Sequence, residues 1–262
     1  SRPAKETALM PFEYISVETA ITAPGLRMVV VSNVPSPWGE AAKGILHMNR
    51  IPWQAVRLVY NDPAFDAWAK DQSGPIAIYE DEAPRGGWRE ILELAERLSP
   101  SPSLMADDAD AMFTLCQNLL GEHGLGWARR LQLVDAGLTG TGGFPERVAK
   151  YIGQKYGYTE AKGAASGVRV RDLLRQMVAQ LDAQKHVGSR YYFGDSPTAA
   201  DIYSATLMAM FAPLPEADCQ MNPATRQAFL TLDQATQDAL DPILLGHRDH
   251  MYDVHLERPL QL

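Results

Sequence analysis

Short apolar runs separated by chain breakers dominate the first hundred or so residues, and longer stripes of helical period dominate the rest. Met28-Val29-Val30-Val31, bounded by Pro24-Gly25 and Asn33, predicts a buried strand over 26–32. Pro37 suits the first turn of a helix and Ser36 the N-cap before it, so a helix is expected from there to Met48. A second, mostly buried strand is expected over 53–60, followed by a short helix that opens at Asn61-Asp62-Pro63 and closes near Lys70. After the break at Ser73-Gly74-Pro75, Ile76-Ala77-Ile78-Tyr79 predicts a third strand. Glu80-Asp81-Glu82 predicts a hairpin turn, and Ala83 to Arg85 a short fourth strand. Trp88, Ile91, Leu92, Ala95 and Leu98 then share one face of a helix.

Ser99-Pro100-Ser101-Pro102-Ser103 cannot continue that helix, because alternate prolines remove donors and favour an extended path. A domain boundary is expected there. Beyond it Met112, Leu115, Cys116 and Leu119 form one helical stripe, and Val170, Leu173, Leu174, Met177, Val178 and Leu181 a clearer one. Residues 139–167, rich in glycine, are expected to form a long loop with short helical turns. The organisation is therefore an extension over 1–25, a β-α-β-α-β-β-α unit over 26–99 and an all-helical unit over 104–262. In the extension, residues 14–21 alternate enough to form an extra strand or an extended arm along a sheet edge.

Charge narrows the partners. Against 32 Asp and Glu the chain of 262 residues carries only 24 Lys and Arg, a formal charge of -8, which repels phosphate backbones and anionic lipid. Neither nucleic acid nor a membrane surface is expected as a partner, leaving small molecules and proteins. No apolar run approaches the roughly 18 residues of a membrane span, and residues 1–25 carry charges instead of a secretory signal's apolar core. Cys116 and Cys219 lie too far apart for a CxxC motif, a zinc site or a disulfide framework, so a reducing cytoplasm is the expected location.

Three motifs stand out. Thr198 and Asp201 have the spacing of a capping box, opening a helix whose residues 202–211 are apolar nearly all round; the full context is Phe193-Gly194-Asp195-Ser196-Pro197-Thr198-Ala199-Ala200-Asp201-Ile202. Ser36-Pro37-Trp38 opens the first helix directly after a strand, and Gly74-Pro75 precedes the third strand. Together these resemble the glutathione transferase superfamily over residues 26–257, in a divergent form. The resemblance implies an α/β plus all-α fold: a thioredoxin-like glutathione-binding domain followed by the family's helical bundle. It also implies glutathione as co-substrate, a small apolar electrophile between the domains, transfer of the thiol as the reaction, and a homodimer.

The same resemblance assigns site residues. Ser36 would stabilise the thiolate with its hydroxyl, aided by the helix N-terminus, or would simply cap that helix. Asn33 would donate its amide to the sulfur or serve as a turn residue, and Trp38 would wall the site or pack between sheet and helix. Gly74 and Pro75, through a cis peptide, would orient the cysteinyl backbone. Lys70 would reach the glycine carboxylate or remain solvated. Where the family has an acidic residue and a serine for the γ-glutamyl carboxylate, this chain has Gly86-Gly87-Trp88, leaving backbone contacts at Gly87 and Trp88, with Arg85 or Arg89 to add charge. Trp127, Arg129 and Arg130 are candidates for the electrophile side, with Phe113, Tyr151, Tyr156 and Tyr158 behind them.

His247, His250 and His255 spread over a broad arc of a helix, so no metal is expected there and the C-terminal helix reads as solvated and laced with ion pairs. His47, His123 and His186 are isolated packing or surface residues. The missing hydroxyl near Gly87 keeps a second reading open: a non-catalytic binding or scaffolding protein on the same fold.

Overall fold

The computed structural model describes residues 13–262. Its sheet has four strands, β1 (Tyr14–Ile15), β2 (Leu26–Val30), β3 (Gln54–Arg57) and β4 (Ile76–Tyr79), in the order β1-β3-β2-β4. Parallel pairing joins β1 and β2 to β3, and β4 runs antiparallel to β2. Alternation along β2 sorts the core: Met28 and Val30 face one way, with α2 (Pro37–Met48) and α4 (Trp88–Leu98), while Val29 faces the other, with α1 (Val17–Thr22) and α3 (Pro63–Ala69). The register keeps each layer intact, pairing Met28 with Ala55 and Ala77, and Val29 with Val56 and Ile76.

The segment before β2 is a short edge strand followed by a helix. Ser16 ends the strand and caps α1, its hydroxyl accepting from the Thr19 N–H at 3.1 Å. Buried Arg27 anchors this addition by donating to the carbonyls of Ala20, Gly25 and Glu80. Of the expected fourth strand only a bridge between Ala77 and Arg85 remains, because Pro84 has no N–H to extend a ladder. The second strand is also shorter than expected, ending at Arg57 where its partner β2 ends.

The proline-rich segment after α4 is held at both ends. Asn49 donates to the Ser99 carbonyl, Glu96 accepts from the Ser103 hydroxyl and the Leu104 N–H, and the Leu104 carbonyl accepts from Ala199 N–H. Helices follow: α5 (Ala109–Leu120), α6 (Leu125–Thr139), α7 (Glu146–Lys155), α8 (Glu160–His186), α9 (Ala199–Leu207), α10 (Pro223–Leu230), α11 (Gln234–Ala239) and α12 (Pro242–Val254). The loop expected over 139–167 is instead α7 and the first turns of α8. Gly163 sits where a β-carbon would lie 2.3 Å from Asp135 Oδ1, so this glycine marks a close helix crossing on α8 and not a turn. No helix among the described residues is long and apolar enough to cross a membrane.

At the centre, every residue of α9 is buried and the helix packs against α2, α5 and α12. The Asp201 carboxylate, wholly buried, accepts from Thr198 N–H at 2.8 Å, from the Thr198 hydroxyl at 3.1 Å and from Tyr192 N–H at 2.9 Å, and meets His247 Nε2 at 2.9 Å. The C-terminal helix is accordingly packed and not solvated as expected: Leu244, His247, Arg248, Met251 and Tyr252 are buried, and Arg248 donates to the Ala212 carbonyl. His250 and His255 both turn to the Tyr191 hydroxyl, at 3.2 and 2.8 Å.

Asp201→Ala leaves two N–H groups and His247 facing an empty, dry site. The expected cost is about 3–5 kcal/mol in urea unfolding, with a smaller loss for Asp201→Asn; an unchanged midpoint contradicts this role for the carboxylate.

Candidate functional site

A cleft of about 460 Å³ opens between the end of the sheet and the helical bundle. One wall is built by the ends of β2 and β3 with the turn into β4: Val31, Ser36, Leu58, Gly74 and Pro75. The other is Trp127 and Arg130 of α6 with Tyr151, Ile152, Lys155 and Tyr156 around α7, over a floor that includes Phe144 and Phe229.

Ser36 is the N-cap of α2 by position, but its hydroxyl makes no capping bond. Pro37 follows it at N1, where the missing N–H costs the helix nothing. The Ser36 backbone is engaged, its N–H donating to Val34 and its carbonyl accepting from Glu40 N–H, both at 2.8 Å. Its hydroxyl therefore remains unspent at a helix N-terminus, on the cleft wall. On the same wall, the Gly74–Pro75 peptide is cis. A β-carbon on Gly74 would lie 3.2 Å from Val31 Cγ2, so the turn sits tightly on the end of β2.

Trp38 serves both sides. Its indole N–H donates to the Leu120 carbonyl at 2.8 Å, and Gly126 of α6 leaves room for its ring, since a β-carbon there would lie 2.9 Å from the indole. The Arg130 guanidinium lies over that ring at 4.4 Å and over the Tyr156 ring at 3.9 Å. Burial holds the Arg130 pKa below its usual range, with the Tyr156 phenol pulling it back.

Other expected residues lie elsewhere. Asn33 is exposed in left-handed backbone (φ 64°) and does not line the cleft, which is the turn role. Lys70, also left-handed (φ 57°), ends α3 beside Trp68 and Glu80, in a separate depression. Gly87 and Trp88 border a neighbouring groove with Arg89, Phe113 and Gln117. There the Gly87 N–H is already taken by the Glu90 carboxylate at 3.2 Å. The two arginines expected to add charge are paired as well, Arg85 with Glu82 at 2.7 Å and Arg89 with Glu93 at 2.8 Å. Gly86 alone of this trio reaches the main cleft.

Arg129 is a buried strut, unlike Arg130. It donates to the carbonyls of Met210, Phe229 and Thr231 and to Gln132, tying α6 to the segments around α10. Tyr158 donates to Asp135 at 2.6 Å, and Phe113 packs on Trp88. Burial pushes both cysteine thiols up, most strongly Cys116, so neither is a ready nucleophile. Sequence reasoning missed Lys155 and Ile152, because both lie on α7, in a stretch expected to be a loop. The signal was present in the apolar spacing of Val148 and Ile152.

No protein-family model and no curated protein matches the sequence. Solved structures do match in shape. A glutathione S-transferase from Methylobacillus flagellatus, with GSH bound, is 18% identical with a TM-score of 0.57, over 86% of this chain and 94% of that one. A glutathione transferase family member from Pseudomonas fluorescens, with two glutathione bound, is 15% identical with a TM-score of 0.53, over 86% of this chain and 97% of that one. Such identities speak to architecture: a thioredoxin-like sheet followed by an all-helical domain, which is the glutathione S-transferase fold in a sequence-divergent form.

Proposed function

We propose that the cleft binds glutathione and that Ser36 stabilises its thiolate for transfer to a small electrophile. The observation that carries this reading is the uncommitted Ser36 hydroxyl at the N-terminus of α2, beside the cis Gly74–Pro75 turn. A thiol is a weak nucleophile until ionised, and one hydrogen bond to the sulfur with the positive end of a helix favours the ionised form. The thiol proton leaves to solvent. The sulfur then supplies the electron pair for the new carbon–sulfur bond, and the electrophile's leaving group departs with the pair of the bond that breaks. No metal and no general-base triad are required.

In this reading the cysteinyl backbone pairs with the main chain at Gly74 and Pro75, and the electrophile docks against Trp38, Trp127 and Tyr156. Residues 26–99 supply the glutathione side and residues 104–262 the electrophile side, and the protein works as a cytoplasmic homodimer. One observation favours the alternative, a protein of this fold that binds or scaffolds without transfer: the γ-glutamyl position has no hydroxyl, and Glu90 both fills the Gly87 N–H and places a negative charge there.

Ser36→Ala lowers kcat/KM for conjugation with a generic aryl halide by about 10- to 150-fold, the worth of one hydrogen bond to a charged group, in a steady-state assay. Equal rates in the variant, or no rate in the wild type, favour the scaffold. Gly87→Ser restores a hydroxyl where the backbone is ordinary (φ -78°). It tightens glutathione about 10-fold in calorimetric titration, and an unchanged Kd removes the γ-glutamyl group from this position.

A further inference from the structure

The cleft has a charge pattern that its proposed chemistry does not use. The chain carries a formal charge of -8, yet no Asp or Glu lines the cleft, whereas Arg130 and Lys155 both do. Several surface lysines and arginines elsewhere pair with carboxylates, as in Arg85–Glu82, Arg89–Glu93 and Lys150–Glu146, and most of the others are exposed to water. Arg130 has no such partner among the described residues, and none of its five N–H donors finds an acceptor there.

What holds Arg130 is aromatic. The rings of Trp38 and Tyr156 lie against the guanidinium at 4.4 and 3.9 Å, with Trp127 at 5.6 Å. Ring faces stabilise a guanidinium over its plane and leave its N–H edge unsatisfied. Such an edge matches a carboxylate, which accepts two parallel hydrogen bonds in the same plane. Partial burial strengthens the match by removing competing water. Lys155 adds a second, exposed positive charge at the same mouth, where it sits 5.4 Å from the Tyr156 ring. Around them on the helical side the lining is mainly apolar, with Val148, Ile152, Phe144 and Phe229, and carries one further hydroxyl at Thr225 besides the tyrosines.

We propose that the helical-domain side of this cleft selects an organic carboxylate with a flat apolar body, Arg130 pairing with the carboxylate and Lys155 drawing it in. This deepens the transfer reading by naming the class of co-substrate, and it rests on that reading only for what happens to the ligand once bound. On this inference the small apolar electrophile carries a carboxylate.

Equilibrium dialysis of the full chain with 2-naphthoate and its neutral analogue 2-naphthamide, without glutathione, tests the inference. The wild type binds naphthoate about 10-fold or more tightly than naphthamide, the worth of a charge-assisted bond. Arg130→Met abolishes that preference, Arg130→Lys retains part of it, and Lys155→Met weakens it less than Arg130→Met does. Saturating glutathione leaves naphthoate bound. Equal affinities in the wild type, a preference that survives Arg130→Met, or displacement of naphthoate by glutathione each overturn the inference, the last by giving Arg130 to the peptide's own carboxylate. The wild-type comparison decides by itself if Arg130→Met does not fold. A wild type that prefers naphthoate but binds no glutathione in a separate titration keeps this inference and removes the transfer reading.

Discussion

One buried carboxylate organises the molecule. Asp201 sits at the N-terminus of a helix with no solvent-facing residue, where a charge is tolerable only if its lone pairs are all used, and here Thr198, Tyr192 and His247 use them. Those partners come from the loop that leads into α9 and from α12, so satisfying one charge on α9 brings three segments together. α9 in turn supports α2, whose first residue follows Ser36. The polar network that stabilises the core therefore also supports the helix whose start carries Ser36.

The cleft is an outcome of joining two kinds of layer. Strand ends and the turns after them present main-chain groups and a short hydroxyl, suited to gripping a peptide. The helices α6 and α7 present long side chains, suited to an apolar or charged second molecule. Trp38 belongs to the first layer and Arg130 to the second, and their ring-on-guanidinium contact joins the walls. Arg129, one residue earlier, shows how strongly position on the helix decides fate: rotated into the bundle, the same side chain becomes a strut for three carbonyls.

Much of this was legible in the chain. The β-branched run from Met28 to Val31 between chain breakers, the proline after Ser36 and the Thr198–Asp201 spacing each have a local physical cause, and the structure bears each out. Features decided by tertiary neighbours were not legible. Gly163 looks like a loop residue in sequence, and only the approach of Asp135 shows that it permits a helix crossing. Whether the Ser36 hydroxyl caps its helix is a matter of side-chain torsion, and the spacing that suggests a cap is the same either way. The occupation of the Gly87 N–H by Glu90, and of Arg85 and Arg89 by neighbouring acids, depends on which of several nearby partners wins. Lys70 ends α3 in left-handed backbone and lies in a depression apart from the cleft.

The central claim is that the cleft holds glutathione as a thiolate. The most direct measurement is the ultraviolet absorption of the thiolate in the protein complex, followed as a function of pH against a protein blank. The account predicts that the bound thiol ionises at a lower pH than free glutathione, and that Ser36→Ala moves this ionisation back toward the free value. A bound thiol that ionises where the free one does, in wild type and variant alike, would contradict it and leave a protein that keeps the fold without its thiol chemistry.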